Sequence, residues 1–222
     1  MSLAERLSRS FRARRMELFL SEFPITPETR VLDVGGNPRI WSTVPAAVRP
    51  RIVYLNLPRA AEPDDDRARL VFGDGCRLPF ADASFDIAFS NSVIEHVGST
   101  KAQQEFAREI QRVSRAYWVQ TPNRRFPVEQ HLLTPVIHWL PAAWQRVLVP
   151  RVTVWGLVTG ASPEERRFYF EHYLRDIRLL TAGELAALFP GSRMIRERFW
   201  GWTKSLVVTS KRNKRGPHPT SE

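Results

Sequence analysis

Five short apolar runs, each ending on glycine or a polar side chain, constrain this chain more than any other feature. Val31-Leu32-Asp33-Val34 stops at Gly35-Gly36, and Ile52-Val53-Tyr54-Leu55 stops at Asn56. Leu70-Val71-Phe72 leads into Gly73-Asp74-Gly75, the run from Phe85 to Ser90 leads into Asn91, and Tyr117-Trp118-Val119-Gln120 is halted by Pro122. Runs of this length without polar alternation read as buried parallel strands. Between them, Pro38 can open a brief helix that Pro45 must stop. Thr100 with Gln103 reads as a capping box ahead of Phe106, Ile110 and Val113 at helical spacing. Strand and helix in alternation predict a mostly parallel sheet with helices on both faces. A second capping box, Thr181 with Glu184, precedes Leu185, Leu188 and Phe189. Residues 194–199 and 205–209 then form an antiparallel hairpin around Gly201. A doubly wound α/β sheet ending in a hairpin is the expected fold.

Composition narrows the class. The 222 residues suit one elaborated domain, and 17 prolines spread along them exclude a coiled coil or long-helix bundle. A single cysteine, Cys76, excludes a disulfide scaffold and a zinc site built on paired cysteines. No other metal-ligand pattern stands out. The N-terminus interleaves Leu3, Leu7 and Phe11 with five arginines and so has no apolar signal core; a cytoplasmic protein is expected. The net charge of +10 sits mostly at the ends, +4 in residues 1–15 and +3 in residues 211–222. Such ends suit phosphates, nucleic acid or an anionic membrane face. The simpler reading is a solvated leader and tail.

Residues 121–178 break the alternation. From Gln130 to Pro163 the only charges are Arg146 and Arg151, while Trp139, Trp144 and Trp155 fall there. A span needs about 20 uninterrupted apolar residues, and Pro135, Pro141 and Pro150 interrupt this stretch. It reads as a helical lid over the sheet and substrate pocket, or as an element lying in a membrane interface.

The strand ends carry the chemistry. Gly35 and Gly36 let backbone approach a ligand at the end of the first strand. The G-x-G-x-x-G spacing of dinucleotide sites is absent, which weighs against a nicotinamide oxidoreductase. Asn56 follows the glycine pair by about 20 residues, where nucleotide-binding folds place a ribose-binding side chain. Gly73-Asp74-Gly75-Cys76, Leu78-Pro79-Phe80, Ser84-Phe85-Asp86, Asn91-Ser92 and Ile94-Glu95-His96-Val97 follow in order. In this order and spacing the chain resembles class I S-adenosylmethionine-dependent methyltransferases, specifically the type 11 methyltransferase domain family. The likeness covers residues 30–122 well and the terminal hairpin loosely.

The resemblance implies a Rossmann-like, seven-stranded sheet and S-adenosyl-L-methionine as cofactor. It implies that Asp33, Gly35, Gly36 and Asn37 touch the methionine part and that Asn56 binds the ribose. Asp74 would meet the adenine amino group, Gly75 and Cys76 would line the adenine, and Asn91 and Ser92 would flank the methionine moiety. Asn56 departs from the family's usual Asp or Glu and gives up charge-assisted bonding, roughly twice as strong as neutral bonding.

A hydroxyl acceptor benefits from a general base. His131 lies just past the fifth strand with Glu129 two residues earlier to orient it, and His96 belongs to the Glu-His pair. The alternatives are that Glu129 and His131 only tie the insertion to the sheet and that His96 packs at a helix start. His172 approaches the pocket only if the insertion folds back, and His138 reads as a packed residue. The expected organisation is one domain: a basic helical segment at 1–29, the cofactor-binding core at 30–122, an insertion or acceptor lid at 123–178, the last helix and hairpin at 179–210, and a disordered basic tail at 211–222. The expected activity is O-methylation of a small, glycan, quinone or lipid-linked acceptor, with peripheral membrane contact and no nucleic-acid partner. The alternative is a catalytically inactive methyltransferase-like module that uses its basic ends to bind RNA, protein or membrane.

Overall fold

The computed structural model describes residues 3–36, 38–58, 68–154, 160 and 162–210. Their elements run, in chain order, α1 (Leu3–Glu22), β1 (Arg30–Val34), α2 (Pro38–Trp41), β2 (Arg51–Asn56), β3 (Ala68–Phe72), β4 (Phe85–Asn91), α3 (Thr100–Val113) and β5 (Ser114–Pro122). After the short strands β6 (Val128–Glu129) and β7 (Thr134–Pro135) come α4 (Ala142–Val152), α5 (Pro163–Asp176), α6 (Ala182–Leu188), β8 (Arg193–Phe199) and β9 (Trp202–Thr209). Seven strands form one sheet in the order β3-β2-β1-β4-β5-β9-β8. The first five pair in parallel, β9 runs antiparallel to β5, and β8 runs antiparallel to β9. This is the doubly wound architecture expected. The hairpin pairs right up to its turn because Trp200 and Gly201 both take positive φ, 47° and 80°, matching the strands' twist.

Residues on each strand alternate between two cores. Leu32, Val34, Ala88, Val119, Leu206 and Val208 face α3 and α6, meeting Phe106, Ile110, Leu185 and Phe189. Val31, Ile87, Phe89, Trp118 and Val207 face the other side, meeting Met16 and Phe19 of α1. The rings of Phe23, Trp41, Phe89 and Trp118 lie 5.1–5.7 Å from that of Phe19, three of them close to edge-on. Aromatic pairs at such separations add stabilisation beyond their buried area.

The basic N-terminal segment is therefore not solvated at its end. Its arginines are unequal: Arg15 is buried and bonded in bidentate fashion to Glu197 of β8, at 2.8 and 2.6 Å. Sequence charge counts miss this because one turn of helix decides which arginine faces inward. Residues 211–222, the expected disordered tail, lie outside the described residues. A second correction is local. Ser99, not Thr100, caps α3 by accepting from the Ala102 amide, and Gln103 turns inward to donate to the carbonyls of Ile94 and Arg178. The Thr181–Glu184 box forms as expected.

The insertion is mixed rather than purely helical. The β6–β7 pair precedes its helices, and Leu132, Ile137, Val149, Phe170 and Tyr173 give it a small core of its own. Among the described residues no helix is long and apolar enough to cross a membrane.

Because Phe19 is wholly buried among four rings, Phe19→Ala is expected to cost ~3–5 kcal/mol. Urea unfolding of wild type and variant measures it, and a loss under 1 kcal/mol would mean that α1 does not hold the sheet.

Candidate functional site

The chain builds β1, β2 and β3 outward in one direction and then returns to place β4 and β5 on the other side of β1. Adjacent strands whose connections leave in opposite directions open a crevice at their carboxyl ends. A cleft of about 750 Å³ lies there. Asp33, Gly35 and Gly36 line it from β1, Asn91 and Ser92 from β4, and Gln120 from β5. Phe11, Arg12 and Arg15 of α1 close it from above, with Lys204 of β9 and Gln130 of the insertion at its edge.

Asp33 is the electrostatic centre of this cleft. Its carboxylate is fully buried; Oδ2 accepts from the Trp41 indole at 2.8 Å, while Oδ1 has no hydrogen-bond partner. Burial lifts its pKa to about 7 despite the Trp41 bond. An orphaned, buried carboxylate oxygen in a cleft wall fits a cationic ligand group, since a positive charge there restores the ionised form. The glycines make room for it. A Cβ on Gly36 would lie 2.2 Å from the Asp33 carboxyl carbon, and one on Gly35, which has φ of 70°, would lie 2.4 Å from Val93.

The other expected cofactor residues lie along the same strand ends but not all on this cleft. Asn56 donates to the Gly36 carbonyl at 3.0 Å. That bond gives its presence a physical reason, because a carboxylate there has no proton to donate. The carbonyl oxygen of its amide is left as the acceptor for a hydroxyl. Asp74 turns back to accept from the Cys76 amide at 2.8 Å. Gly75 is packed so that a Cβ would strike Phe106 at 2.8 Å. Burial, with Asp74 beside it, pushes the Cys76 thiol up to about 12, and the thiol donates to the Ala102 carbonyl, so it is no nucleophile. Asn56, Asp74, Gly75 and Cys76 are absent from the cleft wall. Asn37 lies outside the described residues. Ser92 holds an unusual φ of 59°, fixed by bonds from its amide and hydroxyl to Gln120. Backbone in that region is held at a cost and clusters at ligand sites.

The expected catalytic residues do come together, across 35 positions of sequence. His131 Nδ1 lies 2.7 Å from Glu129, a buried carboxylate, and its Nε2 faces His96 Nε2 at 3.3 Å. Burial works against a charged His131 ring, but the Glu129 bond and charge, with Glu95, outweigh it and raise its pKa. Glu95 joins them: it is completely buried, one oxygen accepts from Thr121 at 2.9 Å, and the other has no partner. None of these four residues lines the cleft, although Gln130 and Gln120, the chain neighbours of His131 and Thr121, do. His138 instead meets the Arg124 carbonyl, and His172 sits on α5 with its side chain outside the described set. Sequence reading missed the contribution of α1. The spacing of Phe11, Arg15 and Phe19 at four-residue intervals was the available signal, since it puts all three on one helix face.

The sequence model of a family described as "Methyltransferase domain" matches residues 51–116. Over these residues the chain is similar to a methyltransferase domain. No curated protein matches it. Solved structures share the fold of this domain at low identity. An Anabaena variabilis methyltransferase from an antibiotic biosynthesis pathway is 15% identical over 83% of this chain, with a TM-score of 0.51; the chain spans 64% of that protein's length. The Burkholderia thailandensis 1,6-didemethyltoxoflavin-N1-methyltransferase, solved with its substrate and S-adenosylhomocysteine, is 16% identical over 89% of this chain and 75% of its own, with a TM-score of 0.52. A Rhodobacter sphaeroides chain described as a zinc-dependent alcohol dehydrogenase superposes with a TM-score of 0.57 at 10% identity, over 90% and 89% of the two chains. At such identities these likenesses speak for the fold alone.

Gly36→Ala is expected to destabilise the protein by ~1–3 kcal/mol, as overpacking typically does, because the Asp33 carboxyl group, bonded to Trp41, stands where the new methyl would go. Thermal unfolding tests this, and an unchanged Tm would show that the carboxylate can move aside.

Proposed function

We propose that this protein is an S-adenosylmethionine-dependent methyltransferase that acts on an oxygen of a small or lipid-linked acceptor. The observation that carries the cofactor reading is the orphaned Asp33 oxygen in a cleft at the strand-order reversal. When bound there, S-adenosylmethionine supplies an electrophilic methyl group on a sulfonium. Asp33 would take the ammonium group of its methionine part, the Gly35–Gly36 backbone would lie against the chain of that part, and Asn56 would accept from the ribose. Asn91 is held by Arg15, and Ser92 by Gln120, so both offer fixed polar groups beside the reacting end. Methyl transfer breaks the bond from sulfur to methyl, forms one from methyl to the acceptor oxygen, and releases the hydroxyl proton. Alignment of donor and acceptor supplies much of the acceleration in such a displacement. The oxygen reading is supported by the Glu95, His96, Glu129 and His131 cluster beside Gln120 and Gln130, groups that can polarise a hydroxyl.

Calorimetric titration with S-adenosylmethionine and S-adenosylhomocysteine tests the cofactor. Asp33 protonates near pH 7 in the free protein and must ionise to meet an ammonium. The Kd is therefore expected to rise by up to about tenfold per unit as pH falls below 7. It should be level above that. Asp33→Asn should bind more weakly at all pH and lose this dependence. If folded wild type binds neither compound, the reading as an inactive binding module takes its place.

The lipid-linked part rests on the insertion, where Trp144 and Phe168 are 62% and 78% exposed. Tryptophan and phenylalanine at a protein surface suit the headgroup boundary of a membrane. Sedimentation with anionic liposomes at low salt is the expected result, reduced in Trp144→Ala with Phe168→Ala. Failure of the wild type to sediment leaves a soluble acceptor.

A further inference from the structure

The Glu95–His96–His131 group has a feature that neither cofactor binding nor packing accounts for. Three possible ligand atoms, one from each residue, lie within 4.8 Å of one another. The two imidazole Nε2 atoms face each other at 3.3 Å. Two nitrogens on one tetrahedral zinc, each at 2.0–2.1 Å, are separated by about 3.4 Å. The third donor is the unpartnered oxygen of Glu95, 4.0 Å from His96 Nε2 and on a side chain with no solvent exposure. A buried carboxylate oxygen without a partner carries a desolvation cost that a cation would offset.

The surroundings are also arranged for it. Glu129, itself buried, holds His131 Nδ1 at 2.7 Å and is fixed in turn by the Leu132 amide at 2.6 Å. A carboxylate on the far nitrogen of an imidazole sets the tautomer that leaves Nε2 free to ligate. Thr121 orients Glu95 by its second oxygen at 2.9 Å, which turns the first one toward the histidines. His96 is the most exposed of the three, with 43% of its side chain accessible. It provides a route in for an ion. Two imidazoles with one carboxylate suit borderline divalent ions over magnesium or calcium, which prefer oxygen ligands throughout.

We propose that Glu95, His96 and His131 bind a zinc-type divalent cation beside the cofactor cleft, with Glu129 as a positioning residue. Sequence reading found no metal pattern because the ligands come from two segments 35 positions apart. The fourth position is open to water or to an acceptor oxygen, the latter resting on the oxygen reading above. Cation binding itself does not depend on that reading.

Tag-free protein, stripped with a chelator and dialysed against zinc, tests this by elemental analysis and by competition with a zinc-sensitive dye. The wild type is expected to retain about one equivalent. His96→Ala, at an accessible position that should not disturb folding, and His131→Ala are each expected to lose it. Glu129→Gln is expected to weaken zinc affinity by ~10–100-fold, an effect that a merely structural contact on His131 would not produce. S-adenosylhomocysteine binding on the same samples reports that the cofactor site is intact. Wild type that binds S-adenosylhomocysteine but holds no zinc overturns the proposal, as does zinc binding that both histidine variants leave unchanged. Absence of S-adenosylhomocysteine binding with zinc retained at these residues would count against the cofactor reading alone.

Discussion

Burial of one carboxylate, Asp33, organises the centre of this protein. Ionisation there is costly enough to lift its pKa to about 7, and the surrounding structure is shaped by how that cost is met. Trp41 gives one hydrogen bond and in doing so fixes α2 against the sheet. Gly36 is glycine because nothing larger fits over the carboxyl group. Trp41 in turn belongs to the aromatic cluster that seats Phe19, so the helix covering the cleft and the charge inside it share one packing unit. The other oxygen is left without a hydrogen-bond partner among the described residues.

The helix α1 shows how a sheet of common design is given a particular cleft. Its buried Arg15 spans the gap between β4 and β8, joining Asn91 to Glu197. A bidentate pair with its partners fully engaged resists movement more than a surface ion pair does. Phe11 lies over Phe199, and the Lys204 ammonium sits 3.9 Å from its ring centre. The result is a cleft whose floor is made of strand ends and whose roof is a basic helix, with an acidic group below and cationic groups above.

Much of the fold was legible because it depends on local patterns. Apolar runs three to six residues long, proline stops and the Thr181–Glu184 box each carry their own physical signal, and each marks an element that formed. Strand ends were legible too, and of the residues that the resemblance assigned there Asp33, Gly35, Gly36, Asn91 and Ser92 line one cleft, while Asn56, Asp74, Gly75 and Cys76 do not. Asn56 was visible as a departure from an acidic residue. Its bond to the Gly36 carbonyl was not, because a hydrogen bond across 20 residues leaves no trace in spacing.

The sequence by itself determined the alternation of strands and helices, and with it the crevice where the chain reverses direction. It also determined which residue types stand at the strand ends. Tertiary structure alone decided which charges are buried. Arg15 and Arg12 belong to the same basic segment, yet one is locked to Glu197 and the other is exposed. It alone decided that Glu95 and His96, at the end of one strand, meet His131 beyond the next. The physical reason is that burial and approach depend on the sum of many packing contacts around a group. A linear pattern records what a residue can offer, and only the packed chain fixes what it meets.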